Sequence, residues 1–408
     1  MSGSGGNMLK GKEIVLGVTG GIAAYKALEL LRLLTKGGAA VHVVMTKSAQ
    51  EFVTPLTFQT LSMNPVHTEL FNLIAEQQIG HISLADRADL FIIAPATANI
   101  IGKLAAGIAD DLLTTTVMAT KAPILIAPAM NVNMYQNQLY RENEEKLRRH
   151  GYHFVEPVKG LLACGWEGEG KLQDPSNIYA AAQALLSPQD LAGEQVLVTA
   201  GPTREELDPV RFISNYSSGK MGYALATAAR RRRATVTLVS GPTCLQEPWG
   251  VETIQVSSAQ EMREVVLSKA AVSTVIIKSA AVADFRPKKR ADIKIKKTNH
   301  PPAIELEKNP DILAELGKMK NKQFLIGFAA ETTNLVENAR QKLQEKNLDM
   351  VVANDVGQAG AGFHVDTNIV KLLFRDRRME ELPLLGKDEV ADIILDRVVA
   401  IRNESAGL

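Results

Sequence analysis

Cysteine is scarce in this sequence: Cys164 and Cys244 are the only two among 408 residues. Two thiols cannot build a disulfide framework or a metal site of four thiolates, so both are excluded. The scarcity indicates a reducing, cytoplasmic setting. It also makes Cys164 informative, because this residue lies in the glycine-rich stretch "LLACGWEGEGKL", which predicts a loop rather than a core segment.

An excess of either charge is also missing. The 46 basic residues balance 45 acidic ones, for a net charge of +1. This balance predicts no general attraction to nucleic acid or to an anionic membrane, so any anion site must be local. Long apolar runs are interrupted as well. The most apolar stretch, 90–108, contains Pro95, Asn99 and Lys103, which predicts a buried strand and helix rather than a membrane span.

The length of the chain predicts two domains, because 408 residues exceed what one typical core holds. The first seven residues, "MSGSGGN", are typical of a tag-like tail. The stretch 185–195 is polar, contains a proline and a glycine, and is the best candidate linker. We therefore expect a tail over 1–7 and domains over 8–188 and 189–408.

Each predicted domain opens in the same way, with an apolar strand, a glycine loop and a helix. In the first, the run 14–18 is followed by a helical pattern and by a second apolar run, 41–45. Such βαβ units imply parallel sheets. The fold class expected is α/β, with two doubly wound domains: a flavodoxin-like or Rossmann-like domain first and a Rossmann-like domain second.

Small residues and asparagines follow several of the predicted strands, in "GVTGGIAAYKA", "APATAN" and "APAMNVNMY". Ligands of open α/β sheets lie at the carboxyl ends of the strands, and a helix N-terminus there suits phosphate. Close packing of a glycine turn, or helix capping, explains one such loop alone; three at equivalent ends favour a ligand site. His81, in "GHISLAD", is suited to proton transfer, although a single histidine is more often an ordinary residue.

Several of these motifs recur together in known families. "GGIAAYK", "GHISLAD", "APATAN", "PAMNVNMY" and "ACGWEGEGK" resemble, in order and spacing, the flavin-containing cysteine decarboxylases. "TAGPTREELDPVRFISNYSSGKMG", "AAVADFRP", "KIKK", "KNPDIL" and "GFAAET" resemble phosphopantothenate–cysteine ligase. Together the two halves resemble the bifunctional coenzyme A biosynthesis proteins of bacteria, over about residues 8–402.

For the first domain, the resemblance implies FMN-dependent decarboxylation of 4′-phosphopantothenoylcysteine to 4′-phosphopantetheine. His81 matches the catalytic histidine of the oxidative decarboxylation step, and Asn131 matches the asparagine that holds the substrate carboxylate. Cys164 matches the cysteine that donates a proton when the aminoenethiol is reduced, in a loop able to act as a flap. The residues implied for FMN are Gly20, Gly21, Thr46, Thr97, Ala98, Asn99 and Met130. Cys244 matches no motif.

For the second domain, the resemblance implies ligation of 4′-phosphopantothenate to L-cysteine through an acyl-cytidylate made from CTP, with Mg²⁺. "NYSSGKMG" departs from a Walker A loop at Ser214 and Met221 and is better interpreted as a helix start that holds phosphate. Asn215 matches the asparagine that forms or holds the acyl-cytidylate, and Lys294 matches a lysine of the second half-reaction. The basic run 288–297, which contains Lys294, is as typical of a solvated surface as of a site. The implied substrate-binding residues are Lys278, Ser279, Ala280, Asp284, Lys294, Pro310, Asp311, Ile312, Leu313, Phe328, Lys342 and Lys346.

The residues alone do not specify an oligomer or metal ligands. The resemblance implies trimeric decarboxylase domains and dimeric ligase domains, which a homo-oligomer such as a dodecamer satisfies. Two alternatives remain open: a flavin-binding redox or regulatory protein whose second half only binds nucleotide, and a ligase that uses ATP. We expect small-molecule substrates, with neither nucleic acid nor membrane as a partner.

Overall fold

A computed structural model of the chain describes residues 9–70, 80–161, 165–296, 303–331, 334–355, 362 and 365–406. Two compact units divide the chain, Asn7–Ser187 and Pro188–Leu408, here called the N-terminal and C-terminal units. In the part of the chain so described, helices are all too short or too polar to cross a membrane.

Six parallel strands form the sheet of the N-terminal unit, in the order β3-β2-β1-β4-β5-β6. The predicted runs 14–18 and 41–45 are strands β1 and β2, and the stretch 90–108 forms β4 and α4. The strands are β1 (Glu13–Val18), β2 (Ala40–Met45), β3 (Val66–His67), β4 (Leu90–Ala96), β5 (Ile124–Pro128) and β6 (His153–Phe154), followed by a hairpin of β7 (Val158–Leu161) and β8 (Glu167–Lys171). The helices are α1 (Lys26–Lys36), α2 (Pro55–Ser62), α3 (Gly80–Arg87), α4 (Ala98–Ala106), α5 (Leu112–Ala119), α6 (Val132–Gln136), α7 (Gln138–Arg149) and α8 (Pro175–Leu186).

Eight strands form the main sheet of the C-terminal unit, in the order β13-β12-β9-β14-β17-β18-β20-β21. The first six strands in this order are mutually parallel, β20 pairs antiparallel with β18, and β21 pairs antiparallel with β20. Its strands are β9 (Gln195–Ala200), β10 (Arg204–Glu206), β11 (Phe212–Ser214), β12 (Thr235–Ser240), β13 (Glu252–Gln255), β14 (Val275–Lys278), β15 (Phe285–Pro287), β16 (Leu306–Lys308), β17 (Phe324–Glu331), β18 (Met350–Asp355), β19 (Thr367–Asn368), β20 (Val370–Phe374), β21 (Met379–Glu381) and β22 (Leu385–Gly386). Its helices are α9 (Lys220–Arg231), α10 (Ala259–Ala270), α11 (Ile312–Met319), α12 (Leu335–Glu345) and α13 (Lys387–Ala406).

Alternate residues of the central strands face opposite layers of helices. On β1, Ile14 and Leu16 pack with the cluster that includes α1 and α8, whereas Val15 packs with the cluster of α4, α5 and α7. On β9, Val198 faces α9 and α13, and Leu197 faces α10 to α12. Because both faces are covered, the buried residues of these strands are mostly apolar, as in parallel strands generally. The predicted fold class, two doubly wound α/β domains, is confirmed.

In both sheets, the order in which successive strands are added reverses beside the first strand. In the N-terminal unit the reversal lies between β1 and β4, and in the C-terminal unit it lies between β9 and β14. A crevice forms where the connections leave in opposite directions, and ligands of doubly wound sheets bind there. Each unit therefore offers one such position, at the carboxyl ends of its strands.

One prediction needs correction, and one is extended. The stretch "LLACGWEGEGKL" was expected to be a loop, but parts of it belong to the two strands of the hairpin β7–β8. Gly168 and Gly170 allow the backbone of β8 to lie close to Val132 and Met130 of the same unit. The candidate linker 185–195 contains the boundary between the two units, and its later part packs on the C-terminal unit. In it Leu191 is buried, and Asp190 pairs with the buried Arg232 at 2.6 Å.

Candidate functional site

The first cavity lies at the carboxyl ends of β1, β2, β4 and β5 and has a volume of about 1110 Å³. Its walls are the loops in which the small-residue motifs were noted. All seven residues predicted to contact FMN line it, together with the predicted carboxylate-binding asparagine. They are Gly20, Gly21, Thr46, Thr97, Ala98, Asn99, Met130 and Asn131.

Two threonines fix the loops on either side of the sheet reversal. The buried Thr19 hydroxyl donates to the Pro95 carbonyl at 2.8 Å and accepts from the Thr97 amide at 3.1 Å. Thr97 is in turn the N-cap of α4. At Gly20 the first loop comes so close to the loop after β2 that an added Cβ would lie 2.3 Å from the Ser48 Cβ. The crevice is therefore preformed by local hydrogen bonds and one glycine contact.

The hairpin β7–β8 is held against the loop that follows β5. The Met130 amide donates to the Gly170 carbonyl at 2.9 Å. Gly170 has φ +137°, and an added Cβ would lie 2.4 Å from the Met130 carbonyl oxygen, so glycine is required there. Asn131 caps α6, its side chain accepting from the Asn133 amide at 2.9 Å. Cys164 lies outside the described residues, so its predicted role stays a prediction.

The chemistry of the lining suits a flat aromatic ligand that carries an anionic group. Ile22, Tyr25, Met134 and Leu161 line the cavity, although each is between 48% and 70% exposed. Exposed apolar side chains gathered in one concave surface are typical of a binding site. The cationic side chains of the same lining are Lys26, Lys47, Lys103 and Lys171. This combination fits the fused rings and the phosphate of a flavin mononucleotide.

Lys103 is not a freely available cation. Its ammonium group binds Asp110 at 2.7 Å and lies 3.5 Å from Asp111. The hydrogen bond to Asp110 raises the pKa of Lys103 above its ordinary value, against a smaller opposing effect of burial. Lys103 and Asp111 both line the cavity, and sequence reasoning missed both, because neither lies in a loop at a strand end.

His81 does not line the first cavity. It lies in the first turn of α3, and its Nδ1 is buried without a hydrogen-bond partner among the described residues. Within one chain, His81 is therefore not part of the cavity lining that contains Asn131. Its catalytic role stays a prediction.

In the C-terminal unit, a second cavity of about 780 Å³ lies beside the carboxyl ends of β14 and β17. Ten of the predicted substrate-binding residues line it. They are Lys278, Ala280, Asp284, Pro310, Asp311, Ile312, Leu313, Phe328, Lys342 and Lys346.

The lysines of the second cavity differ in their partners. Lys342 donates to the Phe328 carbonyl at 2.7 Å, and Lys346 pairs with Asp311. Lys278, the last residue of β14, is 7% exposed, and burial together with nearby Lys342 lowers its pKa from 10.5 to about 7, while Asp311 opposes the shift. A buried ammonium beside a second one favours an anionic ligand, because the ligand would restore the missing counter-charge.

A third cavity, of about 490 Å³, adjoins the second. It contains Asn215, Ser279 and the start of α9, so it holds the remaining predicted residues of this site except Lys294. The Asn215 side chain donates to the Val282 carbonyl at 3.0 Å. The residues common to the second and third cavities are Ala280, Val282, Asp284, Phe328 and Lys342. Two ligands, one in each cavity, would meet along this shared wall.

Lys294 lines none of these cavities and is exposed. The segment that carries it is attached to the unit by Arg211, which donates to the Ile295 carbonyl at 2.8 Å, and by Asp208, which accepts from the Ile295 amide at 3.1 Å. The structure thus does not bring Lys294 to the predicted site. Lys297 lies outside the described residues.

Further residues of the third cavity were not predicted. Lys220, Asn368 and Lys387 line it, yet the last two belong to β19 and α13, far along the chain from the glycine loop. Nothing in their spacing predicts this proximity. Among the described residues, no group of three or more His, Cys, Asp or Glu side chains is arranged to hold a metal ion.

Fold and cavities together define a two-domain α/β protein with a ligand cavity at the switch point of each sheet. The family model described as Flavoprotein matches residues 2–187, and the DNA/pantothenate metabolism flavoprotein C-terminal domain matches residues 191–401. The coenzyme A biosynthesis bifunctional protein CoaBC of Bacillus subtilis (strain 168) is 51% identical over 402 residues, covering 98% of this chain and 99% of the relative. The protein of the same name from Escherichia coli (strain K12) is 46% identical over 401 residues, covering 97% and 98%.

Among solved structures, the C-terminal domain of a coenzyme A biosynthesis bifunctional protein CoaBC is 50% identical; the match covers 53% of this chain and 99% of that domain, with a TM-score of 0.47. On the evidence of the full-length relatives, the chain belongs to the family of bifunctional coenzyme A biosynthesis proteins. The family predicted from the sequence motifs is therefore confirmed.

Proposed function

We propose that this chain catalyses two consecutive steps of coenzyme A biosynthesis in the cytoplasm. The C-terminal unit, predicted over 189–408, ligates 4′-phosphopantothenate to L-cysteine with CTP. The N-terminal unit, predicted over 8–188, decarboxylates the product to 4′-phosphopantetheine with FMN. The proposal is supported by one combined observation. Relatives named coenzyme A biosynthesis bifunctional protein match nearly the full chain, and the loops with the family motifs line the cavity of each unit.

For the ligase, the shared wall of the second and third cavities is the place where two reactants meet. The carboxylate of 4′-phosphopantothenate attacks the α-phosphorus of CTP, and pyrophosphate leaves. The amine of cysteine then attacks the acyl carbon, a proton is lost, and CMP leaves. Lys342 and Lys278 balance the charge of the nucleotide phosphates from the second cavity, and Asn215 orients the acyl group without adding charge.

For the decarboxylase, bound FMN supplies the two-electron oxidation of the cysteinyl thiol and the later re-reduction. The residues of this chain orient the substrate and move protons. Asn131, fixed as a helix cap in the wall of the first cavity, holds the carboxylate that is lost as CO₂. Cys164 gives a proton to the aminoenethiol when it is reduced, in the flap that the family motif implies.

Two parts of the proposal require something that a single chain does not supply. One requires a second copy of the chain, and the other requires a metal ion. Because His81 does not line the first cavity of its own chain, we propose that a second copy of the chain supplies it there. The protein is then a homo-oligomer, and a dodecamer would meet this requirement. Mg²⁺ enters with the triphosphate, whose oxygens are the hard ligands that this ion prefers.

A coupled assay on the purified protein tests both halves. The protein receives 4′-phosphopantothenate, cysteine and Mg²⁺, with CTP or ATP, while pyrophosphate, CO₂ and visible absorbance are recorded. We expect a yellow protein that makes both products with CTP. A preference for ATP would correct the nucleotide, and a yellow protein that makes neither product would favour a redox or regulatory role.

Three variants test the assigned roles. Cys164→Ser is expected to release CO₂ yet fail to form 4′-phosphopantetheine, and normal product formation would contradict the proton-donor role. Asn215→Asp should fail to form or retain the acyl-cytidylate when cysteine is omitted. Lys294 is exposed and lines none of the three cavities, so the role that the resemblance implies requires its segment to approach the reactants. If it does, Lys294→Gln should slow amide formation more than it disturbs folding, and an unchanged ligation rate would remove Lys294 from the site.

A further inference from the structure

The short helix α6 forms part of the wall of the first cavity, through its N-cap Asn131 and through Met134. It has five residues, too few for a helix that is stable by itself, so its position depends on tertiary contacts. The Asn131 side-chain oxygen accepts a hydrogen bond from the Asn133 amide at 2.9 Å. The position of α6 therefore sets the direction in which the side-chain amide of Asn131 points.

Tyr135 ties α6 to the rest of the N-terminal unit. It is 3% exposed, and its backbone amide donates to the Asn131 carbonyl at 3.0 Å. Its hydroxyl donates to the Glu156 carboxylate at 2.8 Å. Burial and, to a smaller extent, Glu156 raise the pKa of Tyr135, so the hydroxyl keeps its proton and remains a donor. Tyr135 is not among the described residues that line the first cavity, so it influences a ligand there through α6.

The acceptor of this hydrogen bond, Glu156, is itself held in place. Arg148 of α7 donates to the same carboxylate, and the Gln173 side chain donates to the Glu156 carbonyl at 3.0 Å. Gln173 is buried, and its Oε1 accepts from the Asp174 amide at 2.9 Å. The Glu156 side chain is nevertheless 60% exposed. Water can therefore hydrate this carboxylate when the Tyr135 hydroxyl is removed.

Arg141 of α7 covers the ring of Tyr135. Its guanidinium carbon lies 3.9 Å from the ring centroid, a distance typical of a cation–π contact. The same guanidinium lies 4.0 Å from the Glu169 carboxylate of β8. β8 also contacts α6 directly, because a Cβ added at Gly168 would lie 2.7 Å from the Val132 Cγ2. The helices α6 and α7 and the strand β8 therefore meet around Tyr135.

We propose that Tyr135 is a positioning residue of the decarboxylase, whose hydrogen bond to Glu156 holds α6 where the Asn131 amide faces the substrate carboxylate. The inference rests on the proposed function, which assigns that carboxylate to Asn131. Tyr135 itself does not touch the reactants. Its hydrogen bond restricts α6 to one position, so Asn131 is aligned before the substrate binds, and less order has to be created on binding.

Two unreactive ligands separate this role from a general loss of structure. 4′-Phosphopantothenoyl-L-alanine keeps the substrate carboxylate but lacks the thiol that is oxidised, so it is not turned over. The N-ethylamide of 4′-phosphopantothenate is the same molecule without the carboxylate. Binding of each ligand to the full chain with FMN is measured from the change in the visible flavin spectrum, which reports on the cavity that holds the flavin.

Tyr135→Phe removes only the hydroxyl. It is expected to weaken binding of the alanine compound by about three- to tenfold, where the upper limit is the loss of one charged hydrogen bond, and to weaken the ethylamide less than about twofold. Glu156→Leu should have the same selective effect, because it removes the acceptor, whereas Glu156→Gln keeps an acceptor oxygen and should retain most of the affinity. Glu145→Leu, which removes an exposed carboxylate of α7, is the matched control and should change neither affinity.

A double-mutant cycle tests whether Tyr135 acts through Asn131. Asn131→Ala should weaken the alanine compound selectively, and Tyr135→Phe in that background should cause little further loss, because both changes act on one contact. Equal weakening of the two ligands by Tyr135→Phe would indicate a purely structural role and overturn the inference. Full additivity of Tyr135→Phe with Asn131→Ala would overturn it as well.

Failure of the proposed function gives a different result. A wild-type protein that binds the two ligands equally would contradict the carboxylate contact of Asn131, and the inference would fall with it. If the wild type prefers the alanine compound and Tyr135→Phe and Glu156→Leu keep that preference, the function stands and only the role of Tyr135 is refuted. If Tyr135→Phe does not fold, Glu156→Leu decides, because Glu156 is exposed and is not among the described residues that line the first cavity.

Discussion

Gly20→Ala should destabilise the N-terminal unit by opening the first cavity. The added Cβ would lie 2.3 Å from the Ser48 Cβ and 2.8 Å from the Ser48 carbonyl carbon, so one of the two loops must move. Neither moves freely, because Thr19 ties the first loop to Pro95 and Thr46 caps the turn at the start of the second. Forced overpacking of this kind costs about 1–3 kcal/mol. For a unit of this size, that lowers the Tm by about 2–12 °C.

Gly21→Ala is the matched control, one residue away. Gly21 has φ −164°, and its added Cβ would meet only the Thr97 Cγ2, at 3.7 Å. Its effect on the stability of the flavin-free protein should stay within about 0.5 kcal/mol. Thermal melts are followed by Trp166 fluorescence in a Trp249→Phe background, which leaves one tryptophan, in the N-terminal unit. Equal melting temperatures for the two flavin-free variants would refute the proposed loop contact, and the flavin content of Gly20→Ala should fall in parallel with its stability.

Three further outcomes follow from the described contacts. Lys278→Met should weaken CTP binding at least about tenfold in calorimetry, yet stabilise the C-terminal unit at pH 7. Between about pH 7 and 10.5, the unfolded chain keeps a proton that the buried Lys278 has lost in the folded protein. The free energy of unfolding of the wild type should therefore rise with pH over this range, and it should rise less in Lys278→Met. Arg232→Met should cost about 3 kcal/mol in chemical denaturation, because it removes a buried partner of two carboxylates, whereas exposed Arg233→Met should cost under about 0.5 kcal/mol. His81→Asn should keep its FMN, measured by absorbance, but lose CO₂ release. Unchanged CO₂ release would contradict the catalytic role of His81.

What could be predicted from the sequence depended on local patterns. Apolar runs that end in glycine predicted β1 and β2, and the rule for parallel strands predicted that the loops around Gly20, Thr97 and Met130 would meet. The proximity of Lys387 to the start of α9 could not be predicted, since it depends on how β19 and α13 return to the sheet. The hairpin β7–β8 was missed because glycines weaken any strand pattern, although here they allow close backbone contact.

Buried cations of the C-terminal unit fall into two kinds, and the difference concerns function. Arg231 and Arg232 are buried in the core between α9 and α13, and carboxylates contact both of them. Lys278 and Lys387 are equally buried but line cavities, and neither has a carboxylate on its ammonium group within the described residues. A protein selected only for stability would pair these lysines or replace them with apolar side chains. Asp311 and Asp366 offset part of the cost of burying Lys278 and Lys387, and an anion in the cavity would offset more of it. Buried lysines without a carboxylate on the ammonium group therefore identify the binding surface more specifically than the number of lysines does.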